Sequence, residues 1–302
     1  AEKHSEMKDR LAKPHSHGSD RRRLGWALAI TATFMLLEVA AGLISGSLAQ
    51  LADAGHMLTD TAALTLAFVA ARLTERPTDP TRSYGYHRAQ VLAAFVNALA
   101  LLAVVGWILF EAVQRLITPR EVAGGTMLGV ALLGLLANIA VLGVLRSRDD
   151  SNLNVAAARL HVIGDLLGSI SASIAAVVII RTGWTPIDAL LSILVALLIF
   201  RSASSLLRKS TRILMEHAPD SMDPDAMRST LMSAVTGVRD VHDVHCWSLT
   251  SGQTMVTLHV ALEADAEPGS VLREAKKVLA DRFDVAHSAL QIEHENCPDE
   301  VH

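Results

Sequence analysis

Aromatic and charged residues are scarce in this chain. Aromatics make up 4% of its 302 residues and charged residues 19%, whereas hydrophobic residues reach 51% and the mean hydropathy is +0.34. The apolar residues are therefore mainly Ala, Leu, Val and Ile, which is the composition of lipid-facing helices. This composition excludes a disordered chain and a collagen-like chain.

Cysteine is scarce as well. The chain contains only Cys246 and Cys297, too few for a disulfide framework. A disulfide-stapled secreted domain is therefore excluded. We expect both thiols to be reduced and to face the cytoplasm.

Charges of the two signs are distributed unevenly. Residues 1–212 carry 21 Lys and Arg against 15 Asp and Glu, whereas residues 213–302 carry 6 against 16. A basic apolar part followed by an acidic polar part predicts a membrane domain with a soluble tail, and it excludes a nucleic-acid binder. We predict a flexible N-terminal tail at 1–23, a membrane domain at 24–210 and a soluble domain at 211–302.

Six apolar stretches are each long enough to cross a membrane, which takes about 20 residues. They cover residues 24–44, 47–71, 89–114, 122–145, 155–180 and 186–206. The short connections between them predict antiparallel neighbours in an all-α bundle. Lys and Arg concentrate before the first span, after the second, after the fourth and after the sixth. Both chain termini are therefore expected to be cytoplasmic.

The tail shows the pattern of a small α+β domain. Helices are predicted at 223–235 and 270–283, and strands at 241–249, 253–262 and 287–293, with a hairpin turn between the first two strands. The order α-β-β-α-β predicts helices packed on one face of a sheet.

Two of the predicted spans carry the same polar pair. His56 precedes Asp60, and His161 precedes Asp165, by four residues, which puts each pair on one helix face. Ionisable groups inside a membrane are costly and indicate function. Two facing pairs would supply two imidazoles and two carboxylates, which suit tetrahedral zinc better than calcium or magnesium. The alternative is hydrogen bonding across the bundle, but the repeated motif favours a metal site.

Histidines in the two tails are weaker candidates. His259 lies opposite the apolar face of its strand, where a metal ligand can be placed. For His242 and His294, a solvated surface position is the preferred interpretation. His15 and His17 suit either a metal-collecting segment or a solvated tail.

Three segments resemble the cation diffusion facilitator family, in its bacterial zinc-efflux branch. They are residues 47–60 (SLAQLADAGHMLTD), 84–88 (YGYHR) and 152–169 (NLNVAAARLHVIGDLLGS). The resemblance covers nearly the whole chain apart from the first 20 residues. It implies six transmembrane helices in the lipid bilayer, a cytoplasmic metallochaperone-like domain and a homodimer. It also implies exchange of cytoplasmic Zn²⁺ for protons at the bacterial inner membrane, with Cd²⁺ and Co²⁺ as further candidate substrates.

The resemblance also implies roles for individual residues. The transport site would consist of His56, Asp60, His161 and Asp165. A cytoplasmic regulatory zinc site would consist of His245, His259, His287 and Glu293, with His242, His294 and Cys297 as additional candidates. Arg88 and Glu216 match a charge pair near the dimer axis of the family.

Some family members hold another metal in the loop between spans two and three, using an acid and two histidines. This chain has Asp79 and His87 there, but Arg82 and Tyr86 stand at the matching histidine positions. We expect no metal site in this loop.

Two other functions fit the sequence less well than transport. An intramembrane metalloprotease needs H-E-x-x-H, which neither metal motif contains. A metal sensor with a membrane anchor does not need four ionisable ligands inside the bundle. We therefore predict a transporter and not an enzyme.

Overall fold

The computed structural model describes residues 17–45, 48–118, 124–146, 152–285 and 287–294. Within them, the side chains of residues 17–19, 38, 41–56 and 59 fall outside the description. The described chain divides into two compact units, residues 17–211 and residues 212–294.

Long helices occupy all six predicted span positions in the described part of the first unit. They are α1 (His17–Ser45), α2 (Leu48–Leu73), α3 (Arg88–Ile117), α4 (Gly124–Leu145), α5 (Leu153–Thr182) and α6 (Pro186–Leu214). Judged over the described residues, the four helices α3 to α6 are long and apolar enough to cross a membrane. That α1 and α2 also cross it stays a prediction.

Small side chains carry much of the packing between these helices. One buried cluster joins α1, α2, α4 and α5, and we call it the alanine-rich cluster. It contains Leu24, Ala27, Leu64, Ala67, Ala71, Val141, Leu145, Val155, Ala158 and Val162. Alanine lets helix backbones approach closely, which is how membrane helices gain van der Waals contact when lipid is as apolar as their side chains.

Neighbouring helices run in opposite directions. Where α2 ends and α3 begins, Gln90 Nε2 donates to Thr74 Oγ1 at 3.0 Å. We call this end of the bundle the basic end, because four arginines lie between residues 72 and 88. At the opposite end, which we call the far end, Arg115 Nη1 of α3 donates to Asp188 Oδ2 of α6 at 2.9 Å.

The second unit is a small α+β domain, as predicted. Its elements are α7 (Pro224–Ala234), β1 (Val238–Thr250), β2 (Gln253–Leu262), α8 (Pro268–Phe283) and β3 (His287–Glu293). The strands form one sheet in the order β1-β2-β3, in which β1 and β2 are antiparallel and β2 and β3 are parallel. Each helix begins with proline after an acidic residue whose carboxylate accepts backbone N–H bonds, so both helix starts are capped.

The core of this domain lies between the sheet and the two helices. On β2, Val256, Leu258, Val260 and Leu262 alternate inward, and Leu231 of α7 packs in the same cluster. The opposite face of β2 is therefore left for its polar residues.

Cys246 belongs to this core. Burial raises the pKa of its thiol, so the thiol is protonated at neutral pH and is a poor metal ligand. The other cysteine, Cys297, lies outside the described residues.

We predict that Leu231→Ala destabilises the tail domain by about 3 kcal/mol, because it leaves a cavity in a packed core. Leu231 is 0% exposed, whereas its neighbour Met232 is 40% exposed and provides the matched control. Met232→Ala should cost less than about 0.5 kcal/mol. Hydrogen exchange of the β1 and β2 amides in the full-length protein measures both values. Equal effects of the two substitutions would contradict this description of the core.

Candidate metal-binding sites

Asparagine side chains tie the start of α5 to two other helices. Asn152 Oδ1 accepts from the backbone N–H groups of Asn154 and Val155, and its Nδ2 donates to Asp20 Oδ2 of α1 at 3.0 Å. Asn154 is 0% exposed, and its Nδ2 donates to the Ala67 carbonyl of α2 at 2.7 Å. Side-chain hydrogen bonds of this kind hold membrane helices together.

This connection determines which residues of α2 and α5 meet farther along the bundle. His161 lies seven residues after Asn154, and Asp60 lies seven residues before Ala67. Because seven residues make about two helical turns, both residues return to the contact face. His161 Nε2 indeed lies 2.8 Å from Asp60 Oδ1.

Asp60, His161 and Asp165 form a compact group of candidate ligands. One ligand atom from each lies within 4.8 Å of the others, and His161 Nε2 lies 3.9 Å from Asp165 Oδ2. Asp60 is buried, and the other two residues are half-buried. Two carboxylates and an imidazole on two helices can bind a divalent cation that accepts nitrogen and oxygen ligands.

His56, the remaining member of the expected set, lies on α2 one turn before Asp60. Its side chain lies outside the described part of the structure, so the four-ligand set stays a prediction. Arg159, a half-buried cation two residues before His161 on the same helix, lies outside the pattern of paired acids and histidines. Arg159 makes an interaction of its own within the chain.

A cavity of about 340 Å³ adjoins the three ligands. Its lining residues on α2 to α6 lie level with the ligands or nearer the far end; they include Met57, Val105, Met127, Asn138, Ser169 and Val195. Toward the basic end, the described side chains of α1, α2, α4 and α5 pack against each other in the alanine-rich cluster. The ligand group is therefore closed toward the basic end and adjoins a cavity toward the far end.

The tail contains a second group, formed by His242, His259 and Glu293. Glu293 Oε1 lies 3.0 Å from His259 Nδ1, and Glu293 Oε2 lies 3.3 Å from His242 Nε2. Within the described residues, the buried atoms His242 Nε2 and Glu293 Oε2 form no hydrogen bond. Two imidazoles and a carboxylate, with unpaired atoms on His242 and Glu293 facing each other, can hold a zinc ion.

The register of the sheet explains why these three residues meet. His242 of β1 pairs with His259 of β2 across the antiparallel ladder. Glu293 of β3 pairs with Ala261, which lies two residues from His259 and so on the same face of β2. All three side chains therefore lie on the face opposite the core.

Asp240 lies beside the second imidazole nitrogen of His242. Its Oδ2 lies 3.5 Å from His242 Nδ1. Burial disfavours the charged form of Asp240, but the hydrogen bond and charge of Arg228 outweigh this and hold the pKa of the Asp240 carboxyl below its ordinary value. An ionised Asp240 favours a proton on Nδ1 of His242, which leaves the Nε2 lone pair for a metal.

The structure does not bring His245 to this group. A bulge separates His242 from His245, and its extra residue, Asp243, has a φ of +52°. His245 consequently pairs with Thr257, two residues nearer the hairpin turn than His259, and its Nε2 lies 2.9 Å from Asp243 Oδ1. In the group of three, His242 takes the place expected for His245.

His287 also lies away from the group. It begins β3, whereas Glu293 ends it, and six residues of strand span about 20 Å. His287 therefore lies far from Glu293 within this chain, whereas the expected set places both residues on one ion. Of the additional candidates, His294 is exposed, His15 and Cys297 lie outside the described residues, and His17 begins α1 with its side chain outside the description.

In the loop between α2 and α3, hydroxyl groups donate hydrogen bonds to the carboxylate of Asp79. Asp79 accepts hydrogen bonds from Thr81 and from Tyr86 Oη, and Arg82 lies 4.5 Å from the centre of the Tyr86 ring. The bonds from Thr81, then Tyr86 and the charge of Arg82, hold the pKa of the Asp79 carboxyl below its ordinary value. Arg82 and Tyr86 thus form part of the local packing around this acid.

The two residues of the expected charge pair belong to different compact units. Arg88 begins α3, and Glu216 follows α6 with a φ of +57°. Both residues make interactions within the chain. A pairing between them near a dimer axis stays a prediction.

Two domain matches identify the family. Residues 26–215 match the cation efflux transmembrane domain, and residues 219–295 match the cytoplasmic domain of cation efflux proteins. The chain therefore belongs to the cation efflux family, which is the cation diffusion facilitator family of the sequence resemblance. It is a multi-pass membrane transporter and not an enzyme.

Three relatives are similar to the chain along nearly its whole length. The zinc transporter ZitB of Escherichia coli K12 is 45% identical over 295 residues, which cover 95% of this chain and 94% of ZitB. The metal cation efflux system protein CzcD of Cupriavidus metallidurans is 41% identical, covering 94% of this chain and 90% of CzcD. A cadmium, cobalt and zinc/H⁺-K⁺ antiporter of Bacillus subtilis is 35% identical, covering 93% of this chain and 91% of the antiporter.

We predict that replacing both His242 and His259 with alanine removes about one zinc ion per protomer, since Glu293 alone then remains of the three ligands. His245→Ala is the matched control, because this histidine lies on the same strand outside the group. Equilibrium dialysis of the full-length protein against zinc, with metal counted by mass spectrometry, measures the loss. An unchanged zinc count in the double variant, or an equal loss in His245→Ala, would show that the group does not hold zinc.

Proposed function

We propose that this protein exports Zn²⁺ from the cytoplasm of a bacterial cell, in exchange for protons, through a site made by His56, Asp60, His161 and Asp165. The observation that carries the proposal is the group of Asp60, His161 and Asp165 between two helices, in which Asp60 is buried and the other two residues are half-buried. Ionisable groups at such a position are energetically costly, so their presence indicates a function such as transport. The names of the relatives support zinc as the substrate and protons as the exchanged ion.

The ligand chemistry favours zinc among divalent cations. Zinc prefers four nitrogen and oxygen ligands at about 2 Å, which two imidazoles and two carboxylates supply. Calcium takes six to eight oxygens, and magnesium retains several waters. Cd²⁺ and Co²⁺ are further candidate substrates, because geometry and ligand type separate them from zinc only partly.

Proton exchange follows from the same ligands. A metal binds neutral imidazole and ionised carboxylate, so zinc arriving from the cytoplasm expels protons from the site. Protons from the other side then compete for these groups and displace the metal, for which an imidazole with an ordinary pKa of about 6.5 is well suited. Inward proton movement is driven by about 2.3 kcal/mol per charge per 100 mV.

From the distribution of positive residues we infer that the basic end lies on the cytoplasmic side of the inner membrane, with both chain termini on that side. The cavity toward the far end then faces the periplasm, and the described conformation corresponds to the state from which zinc is released. Opening toward the basic end would admit the next cytoplasmic ion.

The tail domain would act as a zinc sensor that supports a homodimer. The match to the cytoplasmic domain of cation efflux proteins supports this role, as does the group of His242, His259 and Glu293. The acidic balance of residues 213–302 raises the local concentration of cations. Zinc bound in the tail would tighten the dimer and favour export when cytoplasmic zinc is high.

We predict that Asp60→Asn and Asp165→Asn each abolish zinc transport, because each removes a charge-bearing ligand while preserving side-chain shape. Asp188→Asn is the control, since Asp188 pairs with Arg115 at the far end and not with the site. Zinc flux into sealed proteoliposomes with an imposed pH gradient is the measurement. Transport near the parent level in either site variant would refute the site, and no zinc flux in the parent protein would refute the function.

We predict that His56→Asp shifts the ratio of zinc to cadmium transport toward cadmium. The change replaces nitrogen with oxygen, and the larger ion tolerates oxygen-rich sites that are less strictly tetrahedral. Competition flux with both metals in the same vesicles measures this ratio. If the ratio stays at the parent value, selectivity arises at residues other than His56.

A further inference from the structure

We propose that Asn154 is a positioning residue that closes the basic end of the bundle and, by the same bond, aligns His161 with Asp60. The proposal goes beyond the zinc ligands themselves and rests on the proposed function in one respect, namely that these ligands form the transport site. We call the hydrogen bond from Asn154 to the Ala67 carbonyl the α5–α2 tie.

The tie lies between the ligand site and the basic end of the bundle. It lies two helical turns from the contact of His161 with Asp60, on the side of the basic end. The cavity lies on the other side of that contact. A path from the basic end that reaches the ligands along the contact between α2 and α5 must therefore open at the tie, which joins these two helices.

A second bond fastens the same stretch of α5 to α1. Asn152 Nδ2 donates to Asp20 Oδ2, and Asp20 is only 4% exposed. Val155 and Ala158, which follow on α5, are packed in the alanine-rich cluster. Opening the basic end by moving α5 would break both bonds together.

The chemistry of a buried amide suits a contact that opens and closes. A buried carboxamide without a partner loses the hydrogen bonds that it would make to water. In the closed state the α5–α2 tie satisfies the Nδ2 donor of Asn154, whereas the buried Oδ1 atom has no hydrogen-bond partner among the described residues. In an open state water would reach both atoms. An intermediate arrangement would leave the Nδ2 donor unpaired as well while still excluding water, so the bond favours two discrete states over a gradual loosening.

The same bond determines the ligand geometry. Asn154 and His161 return to one face of α5, as Ala67 and Asp60 do on α2. A shift of α5 that breaks the tie also carries His161 away from Asp60. Closing the basic end and aligning these two ligands are therefore one event.

Asn97 provides a matched control within the same bundle. Its Nδ2 donates to the Ala63 carbonyl of α2 at 3.2 Å, one turn from Ala67, but it reaches α2 from α3. If the effect came only from losing an asparagine that bridges two helices, substitution of Asn154 and substitution of Asn97 should have the same effect. A role in closing the basic end should appear at Asn154 alone.

The experiment measures the access of a maleimide reagent to single cysteines in the full-length chain with Cys246→Ser and Cys297→Ser, held in nanodiscs. One reporter, Ala158→Cys, lies at a buried position of α5 on the basic side of the site, and the other, Ala172→Cys, lies in the cavity lining. In Asn154→Leu we expect labelling of the first reporter to rise about fivefold and labelling of the second to fall, for the loss of one hydrogen bond. In Asn97→Leu both rates should stay within about twofold of the parent.

Opposite changes at the two reporters distinguish closure from ordinary destabilisation, which would raise both rates. Asn154→Gln retains an amide donor and should return both rates toward the parent values. Should Asn154→Leu fail to fold, Asn152→Ser replaces it, because serine can still cap α5 but cannot reach Asp20. This variant should also raise labelling at Ala158→Cys.

Unchanged rates in Asn154→Leu, a rise at both reporters, or equal effects of Asn97→Leu would overturn the proposal. Labelling requires no zinc movement, so its outcome is independent of the flux measurements. Opposite reporter changes in a protein that does not transport zinc would reject the proposed function and retain the closure. Normal zinc flux with unchanged labelling would retain the proposed function and reject the closure by Asn154.

Discussion

The contact between His161 and Asp60 is the interaction on which the rest of the bundle depends. It places an imidazole and a carboxylate together inside an apolar helical unit, where neither group is stable alone. Such a contact needs two helices held in one register. Alanine packing provides the close approach of α2 and α5, and Asn154 provides the register.

The same arrangement gives the bundle two unequal halves. Toward the basic end, alanine packing and asparagine bonds close the space between the helices. Toward the far end, a cavity reaches the ligands. A transporter that exposes its site to one side at a time requires such an asymmetry, and we propose that the described conformation is one of its two states.

Much of this organisation could be predicted from the sequence, because apolar length and the four-residue spacing of His and Asp are local properties. The tail site could not, since one bulged residue at Asp243 moves His245 along the strand and leaves His242 opposite His259. A simple strand-length estimate would, however, have separated His287 from Glu293. The asparagines at the start of α5 were part of a recognised motif, but their partners on α1 and α2 are distant in sequence and appear only in the fold.

The central claim is that α2 and α5 together bind a single zinc ion through nitrogen and oxygen atoms. X-ray absorption at the zinc edge tests it most directly, on full-length protein whose tail group is removed by replacing His242 and His259 with alanine. The account predicts one zinc per protomer with four nitrogen or oxygen neighbours at about 2.0 Å and an imidazole signature. A sulfur shell, six oxygen neighbours or no bound zinc would contradict it.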